Sequence, residues 1–599
     1  MKAFFSTIAL IVSLAACGTL QGMQQAPEAS ATQSPGEATS QRPQPGSFDG
    51  PAELPRTTVD VTLPQQTGKI IRVRANDNFQ EALERAGCGD TIQLEAGATF
   101  TGTFHFPKKP CDDRRWIVVR TSAANDSLPT AGERLTPCYS GVASLPGRPP
   151  LNCKSTKVVT ARLEGKTADG AVMLAPGANH YRLIGLEITR IAAGPKLPLV
   201  YTLVANSQQA PADHIILDRV WVHGTPQDET NHGVRLNGIT NAAVVDSTFT
   251  DFHCIAKTGA CTDAQAIVGG NGNLQSGPFL IQNNFLEASG ECVLLGGGPG
   301  TVTPADITIR RNHFFKPLLW HKGEPDFIGG PDGQPFIVKN LFELKVGTRV
   351  LFEANILENS WGGFTQAGFA ILLTPRNQAS TPSIQITDVT IRHCIIRHTG
   401  SGMQIANPAG EVASAAAGER YSIHDLVFDD IDDQRFDGHG NLAQIGMGRK
   451  PDVPRLQHVT INHVTAFPKK VLIGVGGPFP AEVEDIRFTN NLVSAGQFGI
   501  NPTGSPCNVG GRRDATTMIR NCWKSYEFKN NLIIDAQGSW PPDNFHAKSV
   551  DAAGLEKVEA PGGTVFRLAA QSRYKAKGSD GKDVGADLDA INRAVEGVY

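Results

Sequence analysis

A recurring segment restricts this chain more than any other feature: alternating apolar residues run into a polar turn residue and then resume. It reads Leu280-Ile281-Gln282-Asn283-Asn284-Phe285-Leu286, then Ile307-Thr308-Ile309-Arg310-Arg311-Asn312-His313-Phe314, then Val350-Leu351-Phe352-Glu353-Ala354-Asn355-Ile356-Leu357. Later copies are Ile486-Arg487-Phe488-Thr489-Asn490-Asn491-Leu492 and Tyr526-Glu527-Phe528-Lys529-Asn530-Asn531-Leu532. Alignment on the turn position gives Leu186, Val220, Thr248, Asn284, Asn312, Asn355, Cys394, Ile431, Val464, Asn491 and Asn531, in steps of 27 to 43 residues. A constant motif with variable steps means equal coils carrying unequal loops. A further apolar strand follows most motifs after a loop, at 233–237, 265–268, 291–295, 340–345, 369–373 and 402–405.

One coil of short strands cannot bury its apolar face alone, so coils stack in parallel and share a continuous core. Asparagines stacked at a turn take left-handed backbone conformations and bond to one another in a ladder. A β-sandwich would alternate polar and apolar strands without aligned asparagines. The fold expected is therefore all-β, a single-stranded right-handed parallel β-helix. At its start, 76–87 predicts one short amphipathic helix capped by Asn76 or Asp77, with Phe79, Leu83 and Ala86 on one face and Gly87 at its end. It would cover the open edge of the first coil.

A chain of 599 residues would otherwise suggest about four domains. With Gly at 63 positions, Pro at 39 and only 19% charged residues, the composition is that of many strands and turns. The net charge of −3 provides no basic field of the kind that gathers nucleic acid.

The N-terminus carries its own signal. Lys2, a short apolar run over 4–12 and Leu14-Ala15-Ala16-Cys17 follow one another, and so short a run reads as an export signal rather than a membrane span. Leu-Ala-Ala-Cys resembles a bacterial lipobox, which makes Cys17 the lipidated first residue. Gly18 after it implies, by the same resemblance, an outer-membrane or cell-surface lipoprotein. Residues 18–66, rich in Gln, Pro, Ser and Ala, are expected to form a disordered tether. The β-helix is placed at 67–549, and 550–599 is a tail packing on or capping it. Export agrees with pairable cysteines at Cys88/Cys111, Cys138/Cys153, Cys254/Cys261 and Cys507/Cys522, while Cys292 and Cys394 read as core residues.

The repeated Ile-x-x-Asn-x-Phe segments, the capping helix, Gly-Asp-Thr-Ile-Gln-Leu at 89–94 and the tail Asp580-Gly581-Lys582-Asp583-Val584-Gly585-Ala586-Asp587 resemble the pectin lyase-like superfamily over roughly 70–590. The resemblance implies the fold; the superfamily spans lyases, hydrolases, esterases and non-catalytic surface proteins, so activity must come from a site. In its lyases the acid-sugar groove follows one parallel sheet, which here corresponds to the second strand set. Polar groups gather there in successive coils: Asp228, Glu229, His232 and Arg235; Asp263; Glu291; His321, Lys322, Glu324 and Asp326; Lys339, Glu343 and Lys345; and Arg376.

Alternation in Phe342-Glu343-Leu344-Lys345 puts Glu343 and Lys345 outward if Phe342 and Leu344 face the core. A lyase needs a base for the proton next to a carboxylate, and cations to stabilise the enolate-like transition state. Lys345 or Lys339 would serve as base if cations or burial lower its pKa, and Arg376 would grip a sugar carboxylate. The plain alternative is a surface Glu–Lys pair. Asp263, Glu291 and Glu229 would hold calcium, or else satisfy turn donors. His232, Arg235, Trp320, His321 and Lys322 are candidates for sugar contacts; Trp221 and Trp361 also sit near loops. A hydrolase reading rests on Asp437-Gly438-His439-Gly440, which looks like the Gly-His-Gly of polygalacturonases; Asp429-Asp430 accompanies it, but the other two motifs of those enzymes are missing.

The reading is a monomeric, surface-anchored polysaccharide-processing protein, a lyase cleaving an acidic, uronic-acid-containing glycan. The alternatives are a non-catalytic glycan-binding or envelope-interaction protein and, third, a glycoside hydrolase. If Cys17 is lipidated, Cys17→Ser moves the protein from the membrane to the soluble fraction and abolishes incorporation of labelled palmitate; unchanged fractionation would defeat the lipobox assignment.

Overall fold

A computed structural model describes residues 49–193, 198–202, 209–255, 261–377, 385–410, 418–446, 454–476, 483–502 and 514–599. Cys17 and the export signal, the tether up to residue 48, and Cys507 with its pairing lie outside the described residues. Over the rest, the chain winds as a right-handed parallel β-helix with three sheets. The first runs from Ile70–Val73 to Tyr526–Lys529 and the second from Thr99–Thr101 to Phe545–Ala547. The third has twelve strands, from Phe104–Phe106 to Ile500–Pro502. Strands Ile386–Thr399, Gly418–Ile431 and Leu456–Ala466 are long enough to bend through both the first and the second sheet.

The bend between these two sheets holds the ladder that the aligned asparagines predict. Asn284 Nδ2 donates to Asn312 Oδ1 at 3.0 Å, and Asn312 Nδ2 to Asn355 Oδ1 at 3.1 Å. Near the far end Asn491 donates to Asn531 and Asn531 to Asn544, each at 2.9 Å. Every ladder oxygen also accepts a backbone N–H from the coil before, so buried donors at the bend are paired. The left-handed residue is the one before the ladder position, as in Asn283 (φ 55°), Arg311 (57°), Ala354 (55°) and His393 (55°), and not the stacked asparagine itself. Two aligned positions shift. Ser247, not Thr248, occupies the column, its hydroxyl accepting from Val220 N at 3.0 Å. Leu426, not Ile431, pairs with Cys394 and Val464, because an apolar residue there carries no polar mark to align on.

The first coil is covered as expected, by helix Phe79–Arg85. Its cap is Asn78, whose side chain accepts from Glu81 N, rather than Asn76 or Asp77, and Asp77 instead closes the preceding turn on Arg74 N. Phe79, Leu83 and Ala86 are buried, with Phe79 packed on Phe100, Phe104 and Phe106. Cys88–Cys111, Cys138–Cys153 and Cys254–Cys261 are disulfides, and Cys292 and Cys394 are free and buried.

Residues 49–66, expected to be tether, lie on the body instead. Ala52 N donates to Ser422, Glu53 N to Asp388 and Arg56 N to Asp306; Val59 packs on Ile216, Ala243 and Leu280; Val61 accepts from Arg182. The segment is thus a strap crossing the outer face of the first sheet, held by side chains from coils that composition alone does not connect to it. The tail packs on the second sheet: Val565, Leu588, Ile591, Val595 and Val598 cover Ala354, Ile356, Ile395 and Val427.

Removing one ladder rung tests its weight. Asn312→Ala takes the Oδ1 acceptor from Asn284 N–H and Nδ2 and the Nδ2 donor from Ile281 C=O. At about 1–3 kcal/mol for each buried orphan, urea unfolding should show a loss of about 3 kcal/mol or more.

Candidate functional site

The outward column of the third sheet runs Arg235, Val268, Leu294, Glu343, Leu372, Gln404, Gln444. Strand Phe342–Leu344 sends Phe342 and Leu344 into the core, where Phe342 stacks on Phe352 at 4.3 Å, and so turns Glu343 outward. Around Glu343 opens a trough of about 440 Å³ lined by Glu291, Lys339, Glu343, Lys345, Arg376 and His439, together with Thr374, Gln404 and the edge residues Thr365 to Ala367. Parallel stacking has brought groups from five coils to one place.

Its charges interlock. Lys345 Nζ lies 3.5 Å from Glu343, whose oxygens also accept from Thr374 Oγ1 at 2.8 Å and Asn340 Nδ2 at 3.2 Å. Glu291, fully buried, accepts from Gln265 Nε2 at 2.7 Å. The Lys339 ammonium sits on Asp263 and 3.8 Å from Glu291. Burial pushes the Glu343 carboxyl up; Lys345 opposes this, while negative Glu291 adds to it. Lys339 shows the reverse balance: burial would lower its pKa, but Glu291 and Asp263 outweigh burial and raise it. Crowding at Lys339 is therefore by carboxylates, not cations. That is a correction to its candidacy as a neutral base, and leaves it as a fixed positive charge placed where Asp263 and Glu291 were expected to meet calcium.

His439 enters this trough from the segment singled out for its glycines. A Cβ on Gly438 would stand 2.1 Å from the Gly400 oxygen, and Gly440 has φ 63°, so both glycines serve a tight backbone passage. The passage presents His439 edge-on to Phe369 at 5.8 Å, with the His439 backbone N–H donating to Ser401 Oγ. Burial, then Lys470, lowers the His439 pKa, which leaves the imidazole neutral near pH 7. Asp429 and Asp430 do not accompany it: they continue a second-sheet strand, with Asp430 3.0 Å from His398.

Other candidates are placed elsewhere. His232 accepts from Arg235 Nε at 2.7 Å, and Arg235 lies on the Glu343 column three coils away, about 14 Å along the trough. Glu229 accepts from Ile255 N and Asp228 from Ala193 N, which are turn-satisfying roles, so Glu229 does not join Asp263 and Glu291. His321 is 3.1 Å from Asp437 and 3.7 Å from Glu324; Lys322 is exposed on the same loop. Trp320 is only 2% exposed, enclosed by Ile255, Phe336, Val338 and Trp361 with Arg148 over its ring at 5.2 Å. Trp361 shares that cluster, and Trp221 lies beneath Leu128 and Leu135. These tryptophans pack loops and cannot stack on sugar. An exposed aromatic beside the trough is Phe364, 44% accessible at the tip of the Gly362–Gly363/Gln366–Ala367 hairpin on its edge. An exposed aromatic between glycines at a hairpin tip was the signal available for it.

No family model and no curated protein matches the chain. Solved structures similar to it include an alginate lyase from Paenibacillus sp. str. FPU-7 (14% identity, 72% of this chain and 99% of that one, TM-score 0.32). Pectate lyase Pel9A (13%, 87% and 96%, 0.32) and the GH136 lacto-N-biosidase from Eubacterium ramulus (10%, 80% and 68%, 0.36) are two others.

The carboxyl of Glu343 titrates above its ordinary value near 4.5 in the folded chain. Ionising it therefore costs stability, which is intact below that value and falls as pH rises through the folded one. In Glu343→Gln this decline should disappear, leaving a variant at least as stable as the parent at pH 8; calorimetry across pH 4–8 measures it. Lys339→Ala should instead cost about 3 kcal/mol, since it leaves buried Glu291 without its cation.

Proposed function

We propose that the third-sheet trough is the active site of a polysaccharide lyase that cleaves a uronic-acid-containing glycan by β-elimination. The observation that carries this reading is a pair of titratable groups whose surroundings push them in opposite directions within one trough. His439 is held toward the neutral, proton-accepting form and Glu343 toward the protonated, proton-donating form. In this reading His439 takes the proton next to the sugar carboxylate. Arg376, exposed at the rim, grips that carboxylate, and Lys345 and Lys339 stabilise the negative charge that develops on it. Glu343 gives its proton to the departing glycosidic oxygen. Phe364 offers a ring face to a neighbouring sugar.

A hydrolase would need a second carboxylate within reach of the substrate. Glu291 is fully buried beneath Lys339 and Gln265, and the more exposed Asp263 is held by the Lys339 ammonium, which favours elimination over hydrolysis. Calcium is not needed by this arrangement, because the Lys339 ammonium supplies the positive charge beside Asp263 and Glu291.

Incubation with a panel of acidic glycans, with and without calcium, should raise the absorbance of unsaturated uronates on at least one of them. His439→Ala and Glu343→Gln should each lower that rate about 10²–10⁴-fold while glycan binding persists. Phe364→Ala should raise KM more than it lowers kcat. Binding without any product by the parent would establish the non-catalytic alternative, and new reducing ends without absorbance the hydrolytic one.

A further inference from the structure

The first sheet holds a second cluster of titratable groups, far along the chain from the trough residues. His180 and His214 occupy matching positions in adjacent coils, between the register pairs Asn179–Asp213 and Tyr181–Ile215. Both have left-handed backbones (φ 56° and 52°), and their rings stack at 4.5 Å with an interplanar angle of 7°. Trp116 meets both edge-on, at 5.2 and 5.8 Å. The Trp116 indole N–H donates to the backbone oxygen of Asp113 at 3.1 Å, which fixes the loop that carries that carboxylate. Asp113 Oδ1 lies 3.1 Å from His180 Nε2 and 3.5 Å from His214 Nε2.

The protons on these rings can be assigned from their neighbours. His214 Nδ1 faces the Asp213 carboxylate at 2.7 Å, an acceptor that also takes bonds from Thr240 and Asn241. His180 Nδ1 faces Asn179 Oδ1 at 3.0 Å, and that amide is oriented by Nδ2 donating to Lys109 O and Gly177 O, both at 2.9 Å. Each Nδ1 is therefore a donor, and each Nε2 turns toward Asp113 Oδ1, with a lone pair in the neutral ring or a second proton in the charged one. In the neutral rings, two lone-pair nitrogens and a carboxylate oxygen thus converge within 4.8 Å of one another. Such a set repels itself unless a cation sits at its centre.

We propose that Asp113, His180 and His214 form a binding site for a divalent transition metal, zinc being the ion their chemistry fits best. Two imidazoles and a carboxylate are zinc ligands, and three protein ligands leave a fourth position for water on the exposed Asp113 side. Asp213 and Asn179 orient the rings through the far nitrogens, as the partners of metal-bound histidines do. The ion would tie the loop following Cys111 to two successive coils, a non-covalent counterpart of the neighbouring Cys88–Cys111 disulfide.

The test uses the untagged, chelator-stripped full chain. Titration calorimetry with ZnCl2 at pH 7.5 should show one equivalent bound and a raised melting temperature. Asp113→Asn and His214→Gln should weaken binding by about ten- to a hundredfold, while melting of the stripped variants matches the stripped parent. Asp113 is exposed, so its variant keeps the question answerable if His214→Gln does not fold. Cobalt(II) in place of zinc should give visible absorption that the same variants lose. No uptake of zinc by the parent, or uptake unchanged in Asp113→Asn, overturns the proposal and leaves protons as the cations of this cluster.

Discussion

Everything in this molecule depends on the buried amide ladder at the bend between the first and second sheets. A parallel stack of coils has no intrinsic register from one turn to the next, and a slip would expose one face of every strand. Asn284, Asn312 and Asn355 each bind the backbone of the coil before and the side chain of the coil after. Leaving any of these groups unpaired in the core costs more than the bond itself contributes, so the ladder selects a single register. The left-handed residue ahead of each rung is the cost of that choice. It falls on residues such as Arg311 and Ala354, which gain nothing from φ near 55° except the bend.

Once register is set, chain separation stops mattering. Glu291, Glu343 and Arg376 are tens of residues apart in sequence, yet line one trough. Burying so many charges together is tolerated because each has an opposite charge or a donor nearby: Lys339 beside Asp263 and Glu291, Lys345 beside Glu343, Gln265 on Glu291. Behind them, Lys316 is buried with its ammonium on Asn340 O, and the Asn340 amide in turn holds Glu343. The carboxyl at the centre is thus fixed by a chain of bonds that reaches into the core, the rigidity a proton donor needs.

How much of this could be read from sequence differed by kind of interaction. The coils were legible because apolar alternation and polar ladder residues leave a one-dimensional mark. Where the rung is Leu426 or Ser247, that mark disappears or slips by one, and the alignment drifted there. The outward pointing of Glu343 followed from period-two alternation, and the gathering of Glu291, Lys345 and Arg376 from the expected coil stacking. What could not be read was the sign of local crowding. The partners of Lys339 are carboxylates one and two coils back, and the enclosure of Trp320 depends on Phe336 and Trp361 folding over it. His439 was visible as a motif but assigned to a different chemistry, since the aspartates beside it in sequence turn to another sheet.

The position of the trough follows from what covers the other two faces. The strap at 49–61 runs across the outside of the first sheet, from the Ser422 coil to the Arg182 coil, with Val59 filling the space between Ile216 and Leu280. The tail closes over the second sheet, and the segment around Leu128 and Leu135 covers that sheet's early coils. Both coverings are apolar on their inner side, so the sheets beneath carry outward residues such as Ala243, Ile356 and Val427 that water would otherwise meet. The middle of the third sheet carries Leu294, Glu343, Leu372, Gln404 and Gln444 at the equivalent outward positions. Of these, Glu343, Leu372 and Gln404 line the trough, where polar side chains outnumber apolar ones. The choice of face was therefore made by the hydrophobic cover on its neighbours as much as by the charged residues within the trough.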